Sequence, residues 1–231
     1  MRVLLLCDDY WHPGNVVIEG ISPLKQNGFA FDIISNANDF SPEMLSQYPV
    51  VLISKMDDIS QADRQPWKTE AIQKAFIDYV ENGGGLVAVH SGVVPGKNTT
   101  MLDHLVGCRF LGHPNASPVT VQPLKPHPVT EGVSLFREPD EHYKIEIITD
   151  DADILLASYS PAQGDETKYQ EDSYYNAPEA IHTAGYVRNQ GKGRVCALTP
   201  GHTLEVWHNV QFQRLLANAL EWAGIHNHNV E

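Results

Sequence analysis

Short apolar runs alternate with amphipathic stretches over the first ninety residues of the chain. Four of the runs lack the polar alternation of a half-exposed strand, which is typical of parallel strands that are buried on both faces. They predict strands at residues 2–7, 29–35, 50–54 and 86–89. Helices are predicted between them, with apolar positions at helical spacing, at 16–27, at a short segment from Ser41, and at 69–81. This order predicts an α/β fold, a doubly wound, mostly parallel sheet in a three-layer arrangement.

The second half of the chain is less regular. Its apolar runs predict strands at 119–123, 144–149 and 153–158, and a final hairpin of 180–188 with 194–198. Helices are predicted at 100–106 and 209–223. The acidic stretch 164–178 has few hydrophobic residues and is interpreted as a surface excursion. We expect a single domain over residues 1–225, followed by a frayed tail at 226–231.

The run at 86–89 is followed by a tight turn that holds His90, Ser91 and Gly92. Ligands of parallel sheets bind beyond the carboxyl ends of the strands, which is where this turn lies. A nucleophile elbow would carry serine or cysteine at the position of His90. An imidazole there can act as an acid, a base or a metal ligand. The alternative is that His90 donates to a loop carbonyl and only shapes the turn.

Other polar residues also follow predicted strands, and we expect them to converge with His90 on one crevice. They are His12, Met56 with Asp57, Glu141 with His142, and His202. Strand alternation in the run 140–143 puts Glu141 and Tyr143 on the face opposite Asp140 and His142. Only one of these pairs can therefore point into the crevice.

Three further residues have a simpler structural interpretation. Glu205 and His208 follow His202 at helical spacing, which permits a shared site. Their position also fits the start of the last helix, and this interpretation is favoured for His208. His127 lies between two prolines and is interpreted as structural.

Composition and charge narrow the class of partner. The net charge is −13 and the basic residues are scattered, so no nucleic-acid partner is expected. The apolar runs are too short to span a membrane, and the chain begins directly with a predicted strand, so no signal peptide is expected. The three cysteines form no CxxC pair, which favours a reducing cytoplasm. Eleven histidines are many for this length.

Several motifs, in this order, resemble the ThuA (trehalose utilisation) family. They are GGGLVAVHSG at 83–92, HPVTEG at 127–132, DEHY at 140–143, GKGRV at 191–195, PGH at 200–202 and ANALEWA at 217–223. The resemblance implies a flavodoxin-like, class I glutamine amidotransferase-like fold and a link to trehalose, other disaccharides or ketosugars. True amidotransferases carry a cysteine where this chain has His90. Without that thiol no thioester forms, so glutaminase activity is not expected.

These observations lead to three alternative functions. The first is a carbohydrate-active enzyme of the hydrolase or isomerase type, in which His90, Glu141 and His202 transfer protons. The second is a metal-dependent hydrolase that holds a divalent ion such as zinc through His12, His90 and His202. The third is a non-catalytic sugar-binding or regulatory module.

In each case a small carbohydrate is the expected partner, and a homo-oligomer is the expected assembly. Aromatic rings and polar groups near the crevice suit a neutral polyol. The predicted contacts to it are Trp11, His12, Ser91, Tyr143 and Trp207.

Overall fold

A nine-stranded sheet forms the centre of the computed structural model, which describes residues 1–94, 96, 98–161 and 179–225. The strands are β1 (Arg2–Cys7), β2 (Ala30–Ile34), β3 (Val50–Ser54), β4 (Asp58–Ser60), β5 (Asp63–Pro66), β6 (Gly85–Val89), β7 (Cys108–Gly112), β8 (Ser117–Pro123), β9 (Phe136–Asp140), β10 (Lys144–Ile147), β11 (Asp153–Pro161), β12 (Glu179–Gln190) and β13 (Gly193–Leu198). The α-helices are α1 (Gly14–Gly20), α2 (Ser22–Lys25), α3 (Glu70–Glu81), α4 (Thr100–Val106), α5 (Leu204–His208) and α6 (Val210–Gly224). Short 3₁₀ turns lie at Ala37–Asp39, Pro42–Gln47, His90–Val93 and Pro128–Thr130.

The strands of the large sheet follow the order β2-β1-β3-β6-β13-β12-β11-β8-β9. The first five run parallel to one another. From β13 onwards each neighbouring pair is antiparallel. Two small antiparallel sheets, β4 with β5 and β7 with β10, lie beside it. The predicted α/β class is confirmed, and the predicted final hairpin is the β12–β13 pair that joins the two halves.

Helices cover both faces of the parallel half, as expected for strands without polar alternation. Strand β1 illustrates this arrangement. Its residues Val3, Leu5 and Cys7 face a core that α1 and α6 complete. Leu4 and Leu6 face the second core, which α3 and α4 complete. All five of these residues are buried, so both faces of the strand contribute apolar area to folding.

The predicted helix at 16–27 is two short helices. Helix α1 ends at Gly20, and α2 begins with Ser22 and Pro23. Proline has no N–H to continue the hydrogen bonding of the first helix, but it fits the first turn of a new one. The last helix is likewise preceded by a separate turn, α5, and Asn209 caps α6 by accepting a hydrogen bond from the Gln211 N–H.

Two predicted segments fall outside the described residues. They are the predicted surface excursion at 164–178 and the predicted tail at 226–231. Among the helices of the described residues, none has the length and apolar character that crossing a bilayer requires.

Candidate functional site

Four side chains meet at the carboxyl edge of the parallel strands. His12 follows β1, His90 follows β6, Glu141 follows β9 and His202 follows β13. One nitrogen or oxygen atom from each lies within 4.8 Å of those of the other three. The ring centres of His12 and His90 are 4.9 Å apart, and those of His90 and His202 are 5.3 Å apart. Four distant parts of the chain therefore supply one compact cluster, which we call the histidine cluster.

Glu141 is the centre of the histidine cluster. Its Oε2 lies 3.4 Å from His90 Nε2 and 3.3 Å from His202 Nδ1. A third imidazole, that of His113, places its Nε2 3.4 Å from the same oxygen. Burial opposes ionisation of Glu141, but the nearby imidazoles, His202 foremost, outweigh it and lower its pKa. Glu141 in turn raises the pKa of His202.

His90 is held in an unusual backbone conformation. Its φ is +48°, in the left-handed region that residues with a side chain rarely adopt. The ring is buried, and its Nδ1 lies 2.9 Å from the carbonyl oxygen of Thr199. Burial lowers the pKa of His90 to about 4, so the ring is neutral at pH 7. A neutral ring that donates through Nδ1 presents the lone pair of Nε2 to Glu141 and the rest of the cluster.

Two glycines make room for this turn. A Cβ on Gly92 would collide with the carbonyl oxygen of Ile53 on the neighbouring strand. Gly201 has a φ of +139° and passes close to the Cβ of His90. The backbone can therefore approach β3 and the His202 loop only because these positions lack side chains.

His12 is oriented by Asp9. The Oδ1 atom of Asp9 lies 2.7 Å from His12 Nδ1 and also accepts hydrogen bonds from the backbone N–H groups of Trp11 and His12. Burial opposes ionisation of Asp9, but the contact with His12 and the backbone donors lower its pKa. With Nδ1 held by a carboxylate, His12 Nε2 faces the cluster, 3.4 Å from the hydroxyl of Tyr143.

His202 is positioned by a second buried carboxylate, that of Asp140. Asp140 accepts hydrogen bonds from the backbone N–H groups of Gly201, His202 and Glu141, each at 2.9 Å. Burial raises the pKa of Asp140 to about 7, against the effect of these three donors. One side chain thus ties the end of β9, which carries Glu141, to the loop that carries His202.

A cavity of about 360 Å³ opens above the histidine cluster. Such a volume is within the range of small-molecule sites. Besides three members of the cluster, its walls include Trp11, Met56, Phe110, His113, Asn115 and Tyr143. The Tyr143 ring stacks on that of His90, with centres 4.1 Å apart, and on that of His113 at 5.2 Å.

Several residues predicted for the crevice lie elsewhere. Trp207 and Ser91, two of the predicted ligand contacts, are fully buried and do not line the cavity. The Trp207 indole donates a hydrogen bond to the Gly201 carbonyl. Glu141 and Tyr143 reach the cavity, whereas His142 turns away and lies 3.1 Å from the Ser158 hydroxyl. His208 is the last residue of α5, and its side chain is 45% exposed at the surface.

Two other predicted residues cap helices or turns. The Asp57 carboxylate accepts hydrogen bonds from the backbone N–H groups of Trp67 and Lys68. The Nδ1 of His127 accepts one from the N–H of Val129, in agreement with a structural role.

Three residues that shape the histidine cluster were not predicted as site residues from the sequence. His113 follows β7 directly, so the same strand-end rule would have found it. Asp9 follows β1 and Asp140 ends β9, so the same rule points to their positions, but it does not reveal the distant ring and backbone atoms that each one contacts.

Comparison with known families gives one match. A family model described as trehalose utilisation, ThuA, matches residues 6–223. No curated protein matches the chain.

Solved structures show the same fold. A ThuA-like protein from Parabacteroides merdae aligns with a TM-score of 0.71 and 18% identity, over 100% of this chain and 92% of that one. A ThuA-like protein from Bacteroides uniformis aligns with a TM-score of 0.66 and 23% identity, over 96% and 91%. A cytoplasmic protein from Salmonella typhimurium LT2 aligns with a TM-score of 0.65 and 14% identity, over 96% and 99%.

Proposed function

The chain belongs to the ThuA (trehalose utilisation) family, and from this premise we propose that it is a carbohydrate-active enzyme that depends on a divalent metal ion. The histidine cluster would hold the ion, and the cavity above it would hold the sugar. Family membership supports a role in the use of trehalose or a related sugar. The geometry of the histidine cluster supports the binding of a metal ion.

One observation carries the proposal. His90 Nε2, His202 Nδ1 and Glu141 Oε2 are buried and make no hydrogen bond, although they point at one another. Buried polar atoms nearly always have a partner, since leaving one without costs about 1–3 kcal/mol. A cation between them would satisfy all three at once, because the carboxylate and each imidazole in its neutral form offer a lone pair.

The surroundings of the cluster fit metal ligation. The Nδ1 atoms of His12 and His90 lie against the Asp9 carboxylate and the Thr199 carbonyl oxygen, so the neutral form of each ring carries its proton on Nδ1 and its lone pair on Nε2. Metal-binding histidines are usually oriented by such outer contacts. Three imidazoles and one carboxylate suit a transition metal such as zinc better than calcium or magnesium, which prefer oxygen ligands.

When bound, such an ion would polarise a hydroxyl or carbonyl oxygen of the sugar. The protein's own residues would position that oxygen. The Tyr143 hydroxyl and the His113 ring form the cavity wall beside Glu141 and can hydrogen-bond to sugar hydroxyls. No cysteine is among the residues that line this cavity, and Cys7, Cys108 and Cys196 are all buried, so no thiol lines it for glutaminase chemistry.

Metal analysis of protein purified without a histidine tag tests the proposal. We expect about one equivalent of a transition metal, and near-complete loss of it in the His90→Ala variant, because Nε2 of His90 is a ligand. The matched control is His208→Ala, which removes a histidine 45% exposed at the surface. A metal-free wild-type protein that also fails to take up zinc in a titration would refute the proposal.

Two further aspects remain proposals. Acidic proteins of this size commonly form two-fold dimers, so we propose a homodimer. A cytoplasmic location is proposed from the three unpaired cysteines and from the description of the Salmonella structure.

A further inference from the structure

The loop that carries His12 also presents two aromatic side chains to solvent. Trp11 is 59% exposed and Tyr10 is 42% exposed. Their rings meet edge to face, with centres 4.8 Å apart. The guanidinium carbon of Arg64, on β5, lies 4.2 Å from the centre of the Tyr10 ring and 5.9 Å from that of Trp11. We call these three side chains the aromatic platform.

The backbone beneath the aromatic platform is tied down at several points. The Asp9 carboxylate accepts the Trp11 N–H at 3.0 Å, and Asp58 accepts the Tyr10 N–H at 3.3 Å. Asp8 accepts the N–H of Gln61, in the turn between β4 and β5, at 2.8 Å. Asp8 itself has a φ of +75°, a conformation that costs about 1–3 kcal/mol and persists only where the surroundings enforce it. The loop and the β4–β5 hairpin are therefore one connected unit.

The aromatic platform is continuous with the proposed metal site. Trp11 is the residue before His12, and its indole forms part of the cavity wall. An indole this exposed contributes little apolar burial to folding. Exposed aromatic surface at the mouth of a cavity is instead typical of a binding site.

We infer that the aromatic platform is a second sugar subsite, so that the substrate is a neutral disaccharide or glycoside that extends from the histidine cluster onto Trp11. The inference rests on the proposed function and adds the surface that would hold the second sugar ring. The apolar face of a sugar ring stacks on an aromatic ring. The five N–H donors of Arg64 can reach the hydroxyls at the edge of that sugar.

The charge around the platform favours a neutral ligand. Asp58 and Asp9 accept hydrogen bonds from the backbone N–H groups of Tyr10 and Trp11, and Asp8 accepts one from Gln61. These carboxylates outnumber the guanidinium of Arg64, and the whole chain carries a net charge of −13. A phosphorylated or acidic sugar would be repelled by this field, whereas a neutral one would not.

Calorimetric titration of the zinc-loaded protein with trehalose and with glucose tests the inference. We expect trehalose to bind about tenfold more tightly than glucose, which corresponds to one additional stacked ring. Trp11→Ala should remove this difference by weakening trehalose alone, and Arg64→Ala should reduce it severalfold. The control is Tyr159→Ala, which removes an exposed aromatic residue that does not line the cavity.

Several results would overturn the second subsite. The first is an unchanged preference for trehalose in Trp11→Ala, and the second is equal affinity of the wild type for both sugars. The others are no binding of trehalose to the zinc-loaded protein, or tighter binding of glucose 6-phosphate than of glucose. A change of sedimentation mass in Trp11→Ala would instead assign the platform to an interface between copies of the chain. Failure of the wild type to bind zinc would refute the proposed function itself, which keeps the two failures distinguishable.

Discussion

At the scale of single residues, the histidine cluster depends on two carboxylates that do not belong to it. Asp9 fixes the ring of His12, and Asp140 fixes the backbone of His202. Both are buried, so each stabilises the folded protein only through the partners it meets. Substituting Asp9 or Asp140 should therefore alter the histidine cluster, although neither residue is a member of it.

Replacing Asp9 by asparagine should weaken zinc binding by about 10–100-fold, as is usual when an outer partner of a metal-binding histidine is lost. The amide keeps the shape but removes the charge that holds His12 Nδ1. A competition titration against a fluorescent zinc chelator measures the change. Asp32→Asn, which breaks a surface pair with Arg2, is the matched control and should bind zinc like the wild type. Equal affinities in all three proteins would contradict the role given to Asp9.

A buried pair of histidines outside the histidine cluster should make the stability of the folded protein sensitive to acid. The rings of His142 and His182 lie 4.4 Å apart, and burial lowers the pKa of each to about 4. The unfolded chain binds these protons near pH 6.5, whereas the folded protein resists them until about pH 4. The stability is therefore complete above pH 6.5 and falls as the pH drops from 6.5 towards 4.

Urea denaturation at several pH values between 7 and 4 checks this prediction. Each histidine should contribute a loss of up to about 3 kcal/mol over that range. His182→Gln should show a shallower pH dependence than the wild type, because the amide does not titrate. Identical slopes for the two proteins would show that His182 does not contribute.

At the scale of elements, the strand-to-turn junction after β6 is the feature on which the site depends. The turn that holds His90 passes so close to β3 that Gly92 has no room for a Cβ next to the Ile53 carbonyl. The strands on either side are fully buried and do not move apart easily. The position of His90 is thus determined by close packing of backbone on backbone.

The variant Gly92→Ala should destabilise the fold by about 2–4 kcal/mol, since overpacking against backbone has no easy relief. Thermal and urea unfolding measure the loss. Gly28→Ala serves as comparison, because Gly28 has a φ of +87° but open space around it. It should cost only about 1–2 kcal/mol, the price of the backbone conformation alone. A smaller loss for Gly92→Ala than for Gly28→Ala would contradict the packing argument.

At the scale of the whole molecule, the histidine cluster joins loops that are far apart in sequence. Its members follow strands β1, β6, β9 and β13, which span both the parallel and the antiparallel half of the sheet. A metal ion held by all four would therefore bind the folded chain and have little affinity for the unfolded one. Metal binding should then appear as global stability.

Zinc at about a thousand times its dissociation constant should stabilise the protein by about 4 kcal/mol. For a chain of this length that corresponds to a rise in Tm of about 10 °C over protein treated with a chelator. Scanning calorimetry measures the shift. In His90→Ala the shift should disappear, whereas His208→Ala should retain it. An equal shift in both variants would place the zinc outside the histidine cluster.

The sequence by itself determined the fold class and most of the parallel strands. The strands predicted at 2–7, 29–35, 50–54 and 86–89 differ from the observed ones by at most one residue at either end. Hydrophobic periodicity is a local signal that a few residues carry. The same local pattern placed His12, His90 and His202 after strands, and the strand-end rule brought them to one edge. The strand that precedes Glu141, β9, was not among the predicted strands.

Only the tertiary structure decided how those side chains face one another. The ring of His90 is oriented by Thr199, 109 residues away, and the backbone of His202 by Asp140, 62 residues away. It also decided that Glu141 rather than His142 reaches the cavity, and that Trp207 is buried in the core. The physical reason is that orientation and burial depend on partners brought together by packing, which no local stretch of sequence contains.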